Sequence, residues 1–180
     1  MILATDFKCF VKILFSVCLL FFQRASIFAQ NQKVADSLVK IYQKNKLENS
    51  EKLELLRNLS FNEVNNLELS LKYADELIAL SKLEKNYLYL HRGYYQKGNK
   101  NRLIGDLNKA LNDFFKSAEA ASKAKFITGK GVAYMSIADV YSIMGNSNNA
   151  EVYYTKSIDL LRKTKDSNSL ASALLNAGDE

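Results

Sequence analysis

From Val34 onward, apolar residues recur at steps of three and four. Leu38, Ile41 and Tyr42 form a first stripe, Leu53, Leu56 and Leu59 a second, and Leu67, Leu71, Ala74, Leu77 and Ile78 a third. A period near 3.6 places such positions on one face of a helix, so these stretches read as amphipathic helices with one stripe turned inward. The chain has no proline and seven glycines in 180 residues. That composition favours long runs of helical turns over a turn-rich β fold.

The stripes repeat. Ser70-Leu71, Ala110-Leu111 and Ala150 are spaced 40 residues apart, followed four residues on by Ala74, Phe114 and Tyr154, and seven on by Leu77, Ser117 and Ser157. Upstream, Tyr87, Leu90, Tyr94 and Gly98 share their internal spacing with Tyr134, Ile137, Tyr141 and Gly145. Leu174, Ala177 and Gly178 begin the series again, 40 residues beyond Tyr134, Ile137 and Ala138. Small residues allow close helix crossings, aromatics fill the wedge around them, and Gly98 and Gly145 are placed to end helices in the left-handed conformation. A single helix pair cannot bury its apolar face alone, so a period of this length predicts pairs that stack.

At Tyr134, Ile137, Ala138, Tyr141, Gly145, Ala150, Tyr154 and Ser157 the chain resembles the tetratricopeptide repeat family. The resemblance implies an all-α, right-handed superhelical solenoid of antiparallel helix pairs. Its expected parts are a leading helix over 33–48, a first pair over 50–83, a second over 84–125 with an insertion near Lys100 to Leu107, a third over 129–165, and the first helix of a truncated fourth pair over 168–180. His91 stands where the family uses a small residue, and the proline that usually closes a repeat is missing. In the family the first helices line a groove that holds a partner protein or peptide, which points here to Arg57, Phe61, Leu88, Arg92, Tyr95, Gln96, Met135, Asp139 and Ser142. Phe61 takes the place of an asparagine in the family's clamp for a terminal carboxylate, so that particular ligand is not expected. Tyr87, Leu90, Tyr94, Gly98, Ala110, Phe114, Tyr134, Ile137, Ala138, Tyr141, Gly145, Ala150 and Tyr154 are the expected packing positions.

The first thirty residues carry a different message. Lys8 and Lys12 precede an apolar run from Ile13 to Phe22, followed by the small residues Ala25, Ser26 and Ala29. Ten helical residues span roughly 15 Å, about half a bilayer core. The layout is that of a secretory signal peptide over 1–29, with a retained membrane anchor as the alternative. Both cysteines, Cys9 and Cys18, lie in this segment, so the remainder has no disulfide, thiol nucleophile or cysteine metal site. The expected location is the periplasm or cell envelope.

Charge and chemistry narrow the function further. The net charge of +6 is distributed among interspersed acids rather than gathered into a basic run, so a nucleic-acid partner is not expected. With His91 as the only histidine, no histidine triad or metal cluster can be assembled, and His91 reads as a packed helix residue. Thr128-Gly129-Lys130-Gly131 lacks the frame of a phosphate loop and reads as an inter-repeat turn. No catalytic residue and no cofactor are expected. Two functions remain: an exported scaffold for protein–protein interaction, with some tendency to self-associate, or the exported sensory region of a membrane-anchored signalling enzyme. The second is implied by resemblance to bacterial repeat proteins that continue into a membrane span and a histidine kinase or nucleotide cyclase domain.

Overall fold

The computed structural model describes residues 31–44 and 46–178; the expected signal peptide lies outside them. All regular structure in the described residues is helical. Helix α1 covers residues 31–44. It is followed by α2 (Asn49–Asn62), α3 (Leu67–Leu83), α4 (Tyr87–Leu103), α5 (Leu107–Lys123), α6 (Ile127–Ile143), α7 (Ser147–Leu161) and α8 (Ser167–Gly178). From α2 to α8 each helix packs on its chain neighbours, so α2/α3, α4/α5 and α6/α7 form successive helical hairpins.

The spacing is tighter than a forty-residue period. Asn66, Asn86, Asp106, Asn146 and Asp166 each precede a helix, and each side chain accepts a hydrogen bond from the backbone N–H three residues on, at 2.9–3.3 Å. Such caps satisfy N–H groups that a helix start leaves without a partner. Phe126 holds the remaining place in this twenty-residue series without a side-chain cap. The residues just before four of these positions, Lys85, Gly105, Lys125 and Gly145, have positive φ of 53°, 79°, 54° and 71°. A left-handed residue ends one helix and the cap starts the next.

This frame corrects three expectations. Gly98 does not end a helix: α4 continues to Leu103, and there is no insertion between α4 and α5. Gly105 ends α4, 40 residues before Gly145. Gly98 is instead buried mid-helix, where an added Cβ would lie 2.8 Å from the Phe114 ring. Phe114 has no exposed surface, so the glycine is the gap that admits it. Likewise, Thr128 to Gly131 are not a turn but the first turn of α6. Gly129 leaves room for the Phe126 ring and for His91, and Gly131 for Leu161.

The turn between α2 and α3 is built differently. Here the buried Glu63 carboxylate accepts from the N–H groups of Asn65 and Asn66 at 3.1 and 2.9 Å. The Gln32 side chain of α1 accepts from Val64 and Asn65 and donates to Glu63. Lys100 of α4 donates to the Glu63 carbonyl at 3.1 Å. Burial of Lys100 lowers its pKa, against the opposing pull of the Glu63 charge.

The core runs the length of the stack. Leu53, Leu56, Leu59, Tyr73 and Leu77 fill its first part. Ala110, Phe114, Ile137 and Val140 fill the middle, and Ala138, Ala150 and Tyr154 the next joint. Buried serines tie the hairpins internally: Ser117 donates to the His91 carbonyl at 3.2 Å and Ser157 to the Gly131 carbonyl at 2.8 Å. The two bonds are 40 residues apart. Tyr134 and Tyr141 pack partly buried around Tyr153. Tyr87 is a correction, for it is exposed at the start of α4 rather than a packing residue. Leu90 and Tyr94 are half-buried and line a surface hollow with Lys82, Lys116 and Lys123. The ammonium groups of Lys82 and Lys116 lie 5.7 and 5.6 Å from the Tyr94 ring centre.

Candidate interaction face

Helices α2, α4, α6 and α8 touch one after another, whereas α3, α5 and α7 do not touch one another among the described residues, although α1 packs on α3 through Tyr42 and Tyr73. The even-numbered helices are thus drawn together, and their outer stripes form one face along the stack. All the groove residues expected from the sequence belong to α2, α4 or α6. Their roles in the structure differ.

Between α2 and α4 they gather around Glu54. Its carboxylate accepts from Arg57 Nε at 3.1 Å, Asn58 Nδ2 at 3.2 Å and the Tyr89 hydroxyl at 2.9 Å. Arg92 Nη1 is 3.6 Å away, and the Arg92 guanidinium lies 4.9 Å from the Tyr89 ring centre. Hydrogen bonding from Arg57 is the main cause of the lowered Glu54 pKa, followed by opposing burial and the Tyr89 bond. The Tyr89 hydroxyl is pushed upward, chiefly by burial and then by its bond to Glu54. Two guanidinium groups share one carboxylate, leaving an excess positive charge on a partly exposed surface. Phe61, one helical turn beyond Arg57, is 52% exposed.

A second cluster joins α4, α6, α7 and α8. Asp139 Oδ1 accepts from the Tyr154 hydroxyl at 2.8 Å and from Asn176 Nδ2 at 2.9 Å. Arg102 Nη1 lies 3.9 Å from the other carboxylate oxygen. Asp139 therefore serves as a joint between helices while remaining at the surface.

The other predicted residues lie deeper. Tyr95 is half-buried, with its ring centre 6.0 Å from that of His91 and 5.7 Å from that of Phe114. Its hydroxyl accepts from Ser136 at 3.4 Å. Met135 packs against the cluster of Ala138, Ala150 and Tyr154. Leu88, Gln96 and Ser142 are half-buried. Arg57 and Arg92 meet at Glu54, with Phe61 exposed one turn beyond Arg57 on the same helix; Asp139 stands apart in its own network, and Tyr95 and Met135 are largely packing residues. Sequence reasoning missed Glu54, Tyr89, Arg102 and Asn176. The first had a signal, since Glu54, Arg57 and Asn58 are three and four residues apart on one helix.

His91 is a buried core residue. Its Nδ1 is 2.8 Å from the Ser117 hydroxyl and 3.2 Å from the Ser117 carbonyl oxygen, with Phe126 packed edge-on against the ring. Burial drives its pKa down to about 4 despite the bond to the Ser117 backbone, and the nearby Arg92 charge adds to the fall. Among the described residues no cluster of histidine, cysteine and acidic side chains could hold a metal, and no helix is long and apolar enough to cross a membrane. No family model and no curated protein matches the chain. The functional reading therefore rests on the face itself.

Proposed function

We propose that the protein is an exported, non-catalytic scaffold of tetratricopeptide-like helix pairs, and that it grips an extended partner segment on the face of the even-numbered helices. The observation that carries this reading is the cluster of Arg57, Arg92 and Phe61. Two guanidinium groups share the Glu54 carboxylate beside an aromatic ring that is half exposed. Arginine and aromatic side chains anchor protein interfaces, because they combine directed hydrogen bonds with a large apolar area. The surplus charge favours a partner with a carboxylate close to an apolar side chain.

The test is a triple substitution, Arg57→Ala, Phe61→Ala and Arg92→Ala, in the exported protein, read by affinity capture and circular dichroism. The expected outcome is loss of the captured partner with helical content retained, since partly exposed ion pairs contribute only about 1 kcal/mol or less. Val152→Asp on the surface of α7, where Val152 is 46% exposed, leaves capture unchanged. A folded triple variant that still captures the same partner would rule the face out.

A further inference from the structure

The two long edges of the stack differ in chemistry. Along one edge lie the turns that join α2 to α3, α4 to α5 and α6 to α7; along the other lie the turns that join one hairpin to the next. On the first edge, Leu103 and Ile104 are 73% and 52% exposed, and Ile143 and Met144, 40 residues on, are 58% and 45% exposed. Scattered exposed apolar residues are ordinary, but adjacent pairs repeated at successive turns of one edge form a ridge. Of the charged groups beside it, Lys109 pairs with Asp106 at 2.7 Å and Lys100 is buried against Glu63, while Arg102 comes only to 3.9 Å from Asp139. The opposite edge is dominated by the exposed lysines Lys85, Lys125, Lys163 and Lys165, with Leu83 and Ile127 isolated among them.

A second observation points to what meets the apolar edge. Gln32, near the described start of α1, is bonded to Glu63, Val64 and Asn65 in the α2–α3 turn. The chain leading into α1 therefore arrives on this same edge. The apolar run Ile13 to Phe22 precedes it, joined by the eight residues 23–30, which can reach at most roughly 28 Å. In the form that keeps this run as a membrane anchor, the alternative to a cleaved signal peptide, the ridge lies within that reach of the same lipid surface, and tethering raises its local concentration there.

We infer that the edge bearing Leu103, Ile104, Ile143 and Met144 rests on a lipid surface, its turn tips set among the headgroups and the even-helix face left open to the side. The protein has no tryptophan, so a single introduced indole reports depth. The full chain carrying Ile104→Trp, Ile143→Trp or, on the opposite edge, Leu83→Trp is mixed with vesicles of phosphatidylcholine brominated in its acyl chains. A neutral lipid removes the electrostatic pull on the lysine edge. The expected result is a shift of emission to shorter wavelength at 104 and 143, and quenching several-fold stronger there than at 83. Vesicle-bound protein with no extra quenching at 104 and 143 would overturn the inference, because the apolar run alone would then account for attachment. So would equal quenching at 83. Emission at 104 and 143 already shifted before vesicles are added, and unchanged by them, would assign the ridge to a second copy or another part of the chain, and would equally overturn it.

Discussion

The hairpins α4/α5 and α6/α7 share one frame and fill it with opposite chemistry. Asn101 and Asp113 meet across the first hairpin, where Asn101 Nδ2 donates to the carboxylate at 2.8 Å and both residues are buried. Forty residues on, the same two positions are Tyr141 and Tyr153, stacked with ring centres 5.7 Å apart and an interplanar angle of 24°. His91 becomes Gly131, Lys97 becomes Ile137, and Lys100 becomes Val140. What stays constant is the capped turn, the small residue at Ala110 and Ala150, the ring at Phe114 and Tyr154, and the serine bond from Ser117 or Ser157. The frame thus depends on steric fit and on satisfied backbone groups. The seam between its helices is free to be polar or aromatic, provided each polar group finds a partner.

The largest effects should ignore the difference between the hairpins. Ala110 and Ala150 have no exposed surface, so Ala110→Glu and Ala150→Glu should each cost about 3–5 kcal/mol by leaving an unpaired charge inside. The measurement is denaturant unfolding, with Ser147→Glu in the exposed first turn of α7 as a control that changes stability by less than about 0.5 kcal/mol. A cost confined to one hairpin would break the common frame.

The next effect belongs to α4/α5 alone. Folded His91 titrates at about 4, below the 6.5 of a free histidine, so the unfolded chain takes up a proton first as pH falls. Stability fully present above pH 6.5 is therefore lost on the way down to about 4, by up to about 3 kcal/mol. Replacing His91 with Gln should flatten melting temperature over that interval. Asp113 acts in the opposite sense: burial raises its pKa, with the Asn101 bond opposing, so its contribution falls as pH rises from 3.8 through the raised value. Comparing each single variant with the parent separates the two.

Asn101→Ala should cost about 1–3 kcal/mol, because Asp113 then remains buried without its donor. Transplanting the other seam, with Asn101→Tyr and Asp113→Tyr together, should recover stability by replacing a bonded polar pair with a packed aromatic one. A double variant less stable than Asn101→Ala would show that the two hairpins differ in backbone as well as in side chains. The smallest effect lies at Gly98, whose counterpart is Ala138. Gly98→Ala gains helix propensity but pushes a methyl to within 2.8 Å of Phe114, and the balance should be a loss of about 1 kcal/mol in thermal unfolding.

The same contrast explains which parts were legible in the sequence. In α6 and α7 the inward positions are apolar or aromatic, so the helix stripe, the small residue at Ala150 and the turn at Gly145 could all be read directly. In α4 the inward positions His91, Lys100 and Asn101 are polar, and the stripe fades although the helix continues. Tyr87 to Gly98 then mimics Tyr134 to Gly145 at the wrong offset of 47 residues, and the last turn of α4 passes for an insertion. Asn101 could be recognised as buried only once Asp113 was seen opposite it. At the interaction face, the family resemblance pointed to Arg57, Phe61 and Arg92, but it could not separate them from Tyr95 and Met135, whose depth depends on the next hairpin.

The twenty-residue spacing of the turns has a consequence for how such a chain can change length. Each added residue inside a helix rotates everything after it by about 100°, so a single insertion in α5 would carry Phe114 or Ser117 away from the seam. An extra residue near Gly105 lands where the chain is already leaving one helix axis for another, and the next cap restarts the count. A block of forty residues inserted at Asn86 or Asn146 restores every later residue to its phase. The chain therefore behaves like metered verse, in which whole lines can be added without harm while one stray syllable in mid-line spoils the scansion.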